Sequence, residues 1–143
     1  MVEFYLILAA VTAVAGSLFW QLLLGSLVML IFGFMGEAGI MAAMPAFVIG
    51  MAAWLYMIYV LYMGAGKSVV STTSASVQTA YNSLLLIIVV GWSIYPLGYV
   101  FGYLMGAVDA STLNLIYNLA DFVNKILFGL VIWKAAVDDK QTA

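Results

Sequence analysis

The 143-residue chain is 67% hydrophobic and only 7% charged, a balance far outside that of soluble globular domains. Its net charge of −2 provides no basic patch for nucleic acid, and the absence of cysteine and histidine removes the usual metal ligands. The sequence contains no catalytic nucleophile motif and no phosphate-binding loop, so no feature of it predicts an enzyme. We therefore expect an all-α membrane protein in contact with the lipid bilayer, because open strands cannot satisfy their backbone groups in lipid.

Charged residues and Gly/Pro/Ser clusters divide the chain into apolar segments, and a helix needs about 20 residues to cross the hydrocarbon core. The predicted spans are 1–15, 18–34, 45–63, 79–105 and 113–137. The Gly- and Ser/Thr-rich stretch 64–78 is predicted to be a loop. The first span is short and has no polar lead-in, which favours a missing upstream part over a native short product.

The lysines orient these spans, because positive residues near span ends stay on the cytoplasmic side. Lys67, Lys134 and Lys140 fall on one face of a five-span chain, and Glu37 and Asp109 fall in loops of the other face. This distribution predicts that the C-terminus lies in the cytoplasm.

The fourth predicted span carries large rings on one helical face. Trp92, Tyr95 and Tyr99 recur at positions i, i+3 and i+7, and Pro96 favours a kink beside them. One interpretation is ordinary packing of aromatic side chains. The other is an aromatic wall for a long conjugated cofactor.

Apart from tyrosines, three ionisable residues lie within predicted spans: Glu3, Asp121 and Lys125. Charge inside a membrane is costly, so each is a candidate functional residue. Asp121 and Lys125 are four residues apart and share a helical face. They form either a buried ion pair that fixes helix packing, or an amine that attacks an aldehyde beside a carboxylate that stabilises the resulting cation.

These motifs together resemble the microbial rhodopsins. The W-x-x-Y-P motif at 92–96 and the D-x-x-x-K motif at 121–125 are similar to the sixth and seventh helices of that family. The stretch 114–130 resembles the last helix of the proteorhodopsins nearly residue for residue, and 3–10 and 36–39 are similar as well. The resemblance covers essentially the whole chain, aligned to helices three to seven.

The resemblance implies roles for single residues. Lys125 would bind all-trans retinal as a protonated Schiff base, Asp121 would be part of its counterion, and Glu3 would be the internal proton donor. The residues that would line retinal are Trp92, Tyr95, Tyr99, Met29, Gly33, Gly50 and Trp54, and Asn124 would tune colour. The alternatives are close helix packing through the two glycines and a near-terminal Glu3 that simply reaches water.

The function implied is a light-driven outward proton pump of the bacterial plasma (inner) membrane, in a family that often forms pentamers or hexamers. The family's acceptor aspartate and adjacent arginine would precede Met1, and its first two helices are absent. We therefore expect five helices of a seven-helix rhodopsin bundle, inactive alone. A sensory rhodopsin that signals through a partner and a non-retinal membrane subunit are the alternatives; a sensor would have no need for the Glu3 carboxylate.

Overall fold

The computed structural model describes the backbone of residues 1–142 and the side chains of residues 1–138, so the Lys140 side chain used for orientation lies outside the described residues. Regular structure in this part of the chain is helical. The helices are α1 (Val2–Ala9), α2 (Gly16–Glu37), α3 (Ala43–Tyr62), α4 (Ala65–Val70), α5 (Ala75–Val90), α6 (Ile94–Tyr99) and α7 (Ala110–Thr142). A 3₁₀ turn, Gly91–Ser93, joins α5 to α6, and a π-helical turn, Val100–Leu104, follows α6.

Among the residues that the structure describes, four helical segments are long and apolar enough to cross a membrane, and the chain is a multi-pass membrane protein. They are Gly16–Glu37, Ala43–Val70, Ala75–Leu104 and Ala110–Asp138. The first predicted span differs from the structure, because only Val2–Ala9 is helical there. Eight residues rise about 12 Å at 1.5 Å each, which is less than half of a hydrocarbon core about 30 Å thick.

The predicted loop 64–78 is wrong in part, because it contains α4. The Ser68 hydroxyl donates to the Gly64 carbonyl at 3.4 Å, and the Ser71 hydroxyl donates to the Ser68 carbonyl at 2.7 Å. These hydroxyls bond carbonyls of a short helix, so the Ser-rich composition that suggested a loop instead supports one helical turn and its end.

The core lies where α1, α2, α3 and α5 meet. Its largest fully buried side chains are Tyr81, Phe4, Leu8, Leu18, Leu22, Met57, Leu61, Leu84 and Ile88. The Phe4 ring meets the Tyr81 ring edge-on at 5.0 Å, and the Tyr81 hydroxyl donates to the Leu61 carbonyl at 2.9 Å. Because α2 begins here, α3 ends here and α5 begins here, this core occupies one end of the bundle, which we call the Lys67 end.

The opposite end, which we call the Asp109 end, contains the turns α2–α3 and π-turn–α7. Gly39 and Gly106 adopt φ values of 71° and 62° in these two turns, a region that glycine occupies without strain. Asp109 caps α7 by accepting from the Thr112 hydroxyl at 2.6 Å and from the Thr112 backbone N–H at 3.0 Å. These bonds lower the pKa of Asp109 because they favour the ionised carboxylate.

Replacing Gly36 with alanine is expected to lower the free energy of unfolding by about 1–3 kcal/mol, the usual cost of overpacking. A methyl group there would overlap the Tyr99 hydroxyl and lie 2.8 Å from the Ala46 Cβ atom. Denaturant unfolding in micelles measures the change. Gly129→Ala is the matched control, because among the described residues no atom outside the adjacent part of α7 lies within 4 Å of a Cβ added to that helical glycine. Equal stabilities of the two variants would contradict the overlap.

Candidate functional site

A cavity of about 910 Å³ lies between α1, α2, α3, the 3₁₀ turn, α6 and α7. Aromatic and aliphatic side chains form most of its wall. All the site residues predicted from the sequence line it: Glu3, Met29, Gly33, Gly50, Trp54, Trp92, Tyr95, Tyr99, Asp121, Asn124 and Lys125. The fold therefore brings together residues that lie as much as 122 positions apart in the sequence (125 minus 3).

The polar centre of the cavity is the carboxylate of Asp121. The Lys125 ammonium donates to its Oδ2 atom at 2.5 Å, and the Tyr95 hydroxyl donates to its Oδ1 atom at 2.5 Å. Each oxygen therefore has a partner, and the carboxylate is held directly beside the amine. The side chains of Lys125 and Asp121 are 77% and 43% exposed. This ion pair therefore lies at the surface of the part of the chain that the structure describes.

Two further hydrogen bonds fix α7 against the broken helix α5–α6. Asn124 is 8% exposed, and its amide donates to the Gly91 carbonyl at 3.1 Å. The Tyr117 hydroxyl donates to the Tyr95 carbonyl at 3.1 Å. A side chain at Gly91 would overlap the Asn124 amide, so the close approach of the two helices requires glycine there. Asn124 thus has a packing contact that the sequence analysis did not foresee.

The aromatic stripe both packs and lines the cavity. Tyr99 is only 5% exposed, its hydroxyl donates to the Ala43 carbonyl at 3.1 Å, and its ring stacks on Phe47 with centroids 5.4 Å apart. Trp92 and Tyr95 are half-buried and face the same cavity. The two interpretations of the stripe are therefore compatible, because its rings pack against neighbouring helices and also line the cavity.

The two predicted pocket glycines differ in their surroundings. Apart from its chain neighbours and the backbone of its own helix, no atom of the described residues lies within 4 Å of a Cβ built on Gly33, so the absence of a side chain there leaves open space. A Cβ on Gly50 would lie 3.5 Å from the Met29 carbonyl oxygen and 4.0 Å from the Gly33 nitrogen. Gly50 therefore also packs against the α2 backbone, whereas close packing does not explain Gly33.

Glu3 lies toward the Lys67 end of the cavity. The adjacent Phe4 ring is 6.2 Å from the ring of Phe128, which is one turn beyond Lys125 along α7. The Glu3 carboxylate accepts from the Met1 amine at 2.7 Å, and its side chain is 53% exposed. Among the described residues, its ion pair is with that amine and not with Lys125.

Sequence reasoning assigned no site role to several lining residues, among them Glu37, Tyr117, Ser26, Phe47 and Phe128. The place of Tyr117 in the site could have been predicted from its spacing along the chain. It precedes Asp121 by four positions, as Asp121 precedes Lys125, so the three share one face of α7. Glu37 belongs to a stretch that carries the family resemblance, but only the fold shows that its side chain meets the cavity.

Comparison with known proteins shows similarity to rhodopsins across nearly the whole chain. A family described as Bacteriorhodopsin-like protein matches residues 1–139. The blue-light absorbing proteorhodopsin of Gamma-proteobacterium Hot 75m4 is 68% identical over 145 residues, which cover 100% of this chain and 58% of the relative. The green-light absorbing proteorhodopsin of Gamma-proteobacterium EBAC31A08 is 67% identical over 142 residues, which cover 99% of this chain and 57% of the relative.

A solved structure is also similar. The crystal structure of blue light-absorbing proteorhodopsin from Med12 superposes with a TM-score of 0.78 at 46% identity, covering 96% of this chain and 60% of that one. The chain thus spans less than two thirds of the length of these curated relatives and of this structure.

Proposed function

Because the chain belongs to the bacteriorhodopsin-like family and, within it, to the proteorhodopsins, we propose that it is part of a light-driven outward proton pump. Proteins of this family bind retinal. The observation that carries the proposal is the Lys125–Asp121–Tyr95 cluster in the wall of a large aromatic cavity.

The cavity fits a retinal molecule in chemistry and in size. Pockets that hold ligands of this size typically measure about 300–1,000 Å³ and are mostly apolar with a few polar groups, as this cavity of about 910 Å³ is. The open space at Gly33 leaves room for a polyene beside α2. Retinal supplies light absorption and light-driven isomerisation when bound.

Lys125 is the proposed attachment point for all-trans retinal. After losing its extra proton, its Nζ atom would hold the aldehyde carbon of retinal as a Schiff base, with loss of one water molecule. Trp92, Tyr95 and Tyr99 would hold the polyene on the α6 side. Met29, Gly50 and Trp54 would hold it on the α2 and α3 side, and Asn124 would set part of its colour.

Asp121 is proposed to balance the positive charge at the Lys125 nitrogen. Its Oδ2 atom already accepts from that nitrogen, and the Tyr95 hydroxyl stabilises the carboxylate from its other oxygen. Two charge-assisted hydrogen bonds on one carboxylate favour its ionised form. Asp121 therefore acts as a fixed negative charge and Tyr95 as its positioning residue.

Glu3 is proposed as the internal proton donor, on the cytoplasmic side of Lys125. It shares the cavity wall with that residue, and its neighbours along the chain are apolar. The proton would leave the Glu3 carboxyl oxygen and arrive at the Lys125 nitrogen. In a longer protein with residues before Met1, the Met1 nitrogen would be part of a peptide bond and would not form an ion pair with Glu3.

We propose further that residues 1–143 form helices three to seven of a seven-helix bundle. Lys125 lies near the middle of a membrane-length helix and is 77% exposed, and a charge in that position is costly against lipid. Large apolar side chains surround it on α7, with Phe122 67% exposed and Ile126 45% exposed. Upstream helices that cover this surface would remove the cost, and without them the chain alone would not pump.

The proposed setting is the bacterial plasma membrane, with the C-terminus in the cytoplasm and homo-oligomers, pentamers or hexamers, as the assembled form. Lys67 and Lys134 lie toward one end of the bundle, whereas Glu37 and Asp109 lie at the other. This is the charge distribution expected for a cytoplasmic Lys67 end.

Illumination of vesicles that hold the full-length protein and all-trans retinal tests the function. We expect a light-dependent pH change that a protonophore abolishes, with protons moving toward the Asp109 side. A photocycle without net proton movement would instead indicate a sensory rhodopsin. The absence of any visible absorption band with retinal would indicate a non-retinal membrane subunit.

A further inference from the structure

Tyr95 lies where the α5–α6 backbone has the least support from its own helix. The 3₁₀ turn Gly91–Ser93 ends two residues before it, and the residue after it is Pro96. Proline has no N–H to donate to the carbonyl four residues earlier, so the regular helical hydrogen bonding is interrupted here. The position of Tyr95, and hence of its hydroxyl beside Asp121, therefore depends on bonds from outside α6.

Tyr117 provides such a bond from α7. Its hydroxyl donates to the Tyr95 carbonyl at 3.1 Å, and the two ring centroids are 5.5 Å apart. One turn further along α7, the Asp121 carboxylate accepts from the Tyr95 hydroxyl. Two residues on the same face of α7 therefore hold Tyr95 at both of its ends, the backbone carbonyl and the side-chain hydroxyl.

The packing of Tyr117 against α6 leaves no room for a side chain at Gly98. A Cβ built on Gly98 would lie 2.6 Å from the Cε1 atom of Tyr117 and 2.7 Å from its hydroxyl oxygen. Gly98 follows Tyr95 by three positions, so the two residues are neighbours on one side of α6. The Tyr117 ring thus lies directly against the α6 backbone, where its hydroxyl reaches the Tyr95 carbonyl.

We propose that Tyr117 is a positioning residue for the charge balance at Lys125, because it fixes the backbone of Tyr95 and thereby the bond between the Tyr95 hydroxyl and the Asp121 carboxylate. The inference rests on the proposed attachment of retinal at Lys125. A donor close to the carboxylate draws part of its negative charge away from the Lys125 nitrogen. Loosening Tyr95 would return that charge toward the nitrogen and change the colour of the bound pigment.

The alternative is that Tyr117 only packs α7 against α6. Its loss would then lower stability without a specific effect at Asp121. A double substitution separates the two roles, because residues that act through one bond do not have additive effects. Tyr95→Phe keeps the carbonyl that Tyr117 bonds, but it removes the hydroxyl through which Tyr117 is proposed to act.

Absorption spectra of the full-length protein with all-trans retinal, in lipid nanodiscs, test the proposal. Tyr117→Phe is expected to shift the absorption maximum in the same direction as Tyr95→Phe and by less, because it loosens the bond to Asp121 without removing it. Gly98→Ala forces the Tyr117 ring away from α6 and should give a shift of the same sign. In protein that carries Tyr95→Phe, adding Tyr117→Phe should cause no further shift.

Tyr103→Phe is the matched control at the same end of the bundle. The Tyr103 ring lies beside the Tyr99 ring with centroids 5.0 Å apart, but Tyr103 is not among the residues that line the cavity. Its substitution removes one tyrosine hydroxyl, as Tyr117→Phe does. The absorption maximum should equal that of the unaltered protein.

Several results would overturn the proposal. They are an unaltered maximum in Tyr117→Phe, an equal shift in Tyr103→Phe, or a full additional shift in the double variant. Loss of the visible band in both Tyr117→Phe and Gly98→Ala would also overturn it, because Tyr117 would then be a packing residue. An unaltered protein without a visible band would refute retinal attachment itself, whereas a band without proton movement would refute only the pump function.

Discussion

Full-length protein carrying Lys125→Ala is expected to form no visible absorption band with all-trans retinal. The substitution removes the only amine that lines the cavity through a side chain among the described residues. Without that nitrogen the aldehyde cannot be held covalently, and Asp121 loses its ion-pair partner. Absorbance spectra after addition of retinal, followed by reduction with borohydride and peptide mapping, measure both the band and the attachment site.

Lys134→Ala is the matched control for this experiment. Lys134 lies on the same helix and pairs with Asp138 at 2.8 Å with the same four-residue spacing, but it is outside the cavity. We expect an unchanged band. A band of normal intensity in Lys125→Ala would disprove the attachment and would favour a membrane subunit in which Lys125 and Asp121 merely form a structural ion pair.

Glu3→Gln is expected to slow reprotonation at the Lys125 nitrogen by about 100-fold in flash photolysis of the full-length protein. Glutamine keeps the size and polarity of the side chain but has no proton to donate at its carbonyl oxygen. The absorption maximum should change little, because the carboxylate directly beside Lys125 belongs to Asp121. The measurement follows absorbance at the wavelength of the unprotonated pigment.

Two comparisons make this result specific. Added azide or another small acid should restore much of the rate in Glu3→Gln, since a diffusible donor replaces the missing one. Glu37→Gln should leave the same step unchanged, because that carboxylate lies at the other end of the cavity. An unchanged photocycle in Glu3→Gln would count against the donor role and in favour of a sensory protein.

The helical fold and the residues of the cavity could be predicted from the sequence because two signals in it are strong. Apolar length limits a membrane segment to a helix, and spacing along a helix determines which side chains share a face. Trp92, Tyr95 and Tyr99 illustrate the second signal, since all three line the cavity. The position of Glu3 in the same wall required the family resemblance, because no local pattern links it to α7.

The structure differs from the sequence-based predictions where the cause is not a local sequence pattern. The stretch 1–15 is apolar apart from Glu3 and Thr12, but the helix ends at Ala9, and hydropathy does not mark that end. The role of Asn124 depends on the carbonyl of Gly91, which lies 33 positions away and is accessible only because the helix is broken there. Contacts of this kind follow from tertiary packing, which spacing alone does not specify.

The 3₁₀ turn at Gly91–Ser93 has a mechanical consequence. It is a joint between α5, which is anchored in the core through Tyr81, and α6, which is anchored to α3 through Tyr99. The side chain of Asn124, the immediate neighbour of Lys125, holds this turn through its hydrogen bond to the Gly91 carbonyl. A displacement of the α7 backbone at Lys125 would therefore act directly on the 3₁₀ turn through Asn124. A movement of about 1 Å there would change the angle between α5 and α6, and the displacement would be larger at the far ends of these helices.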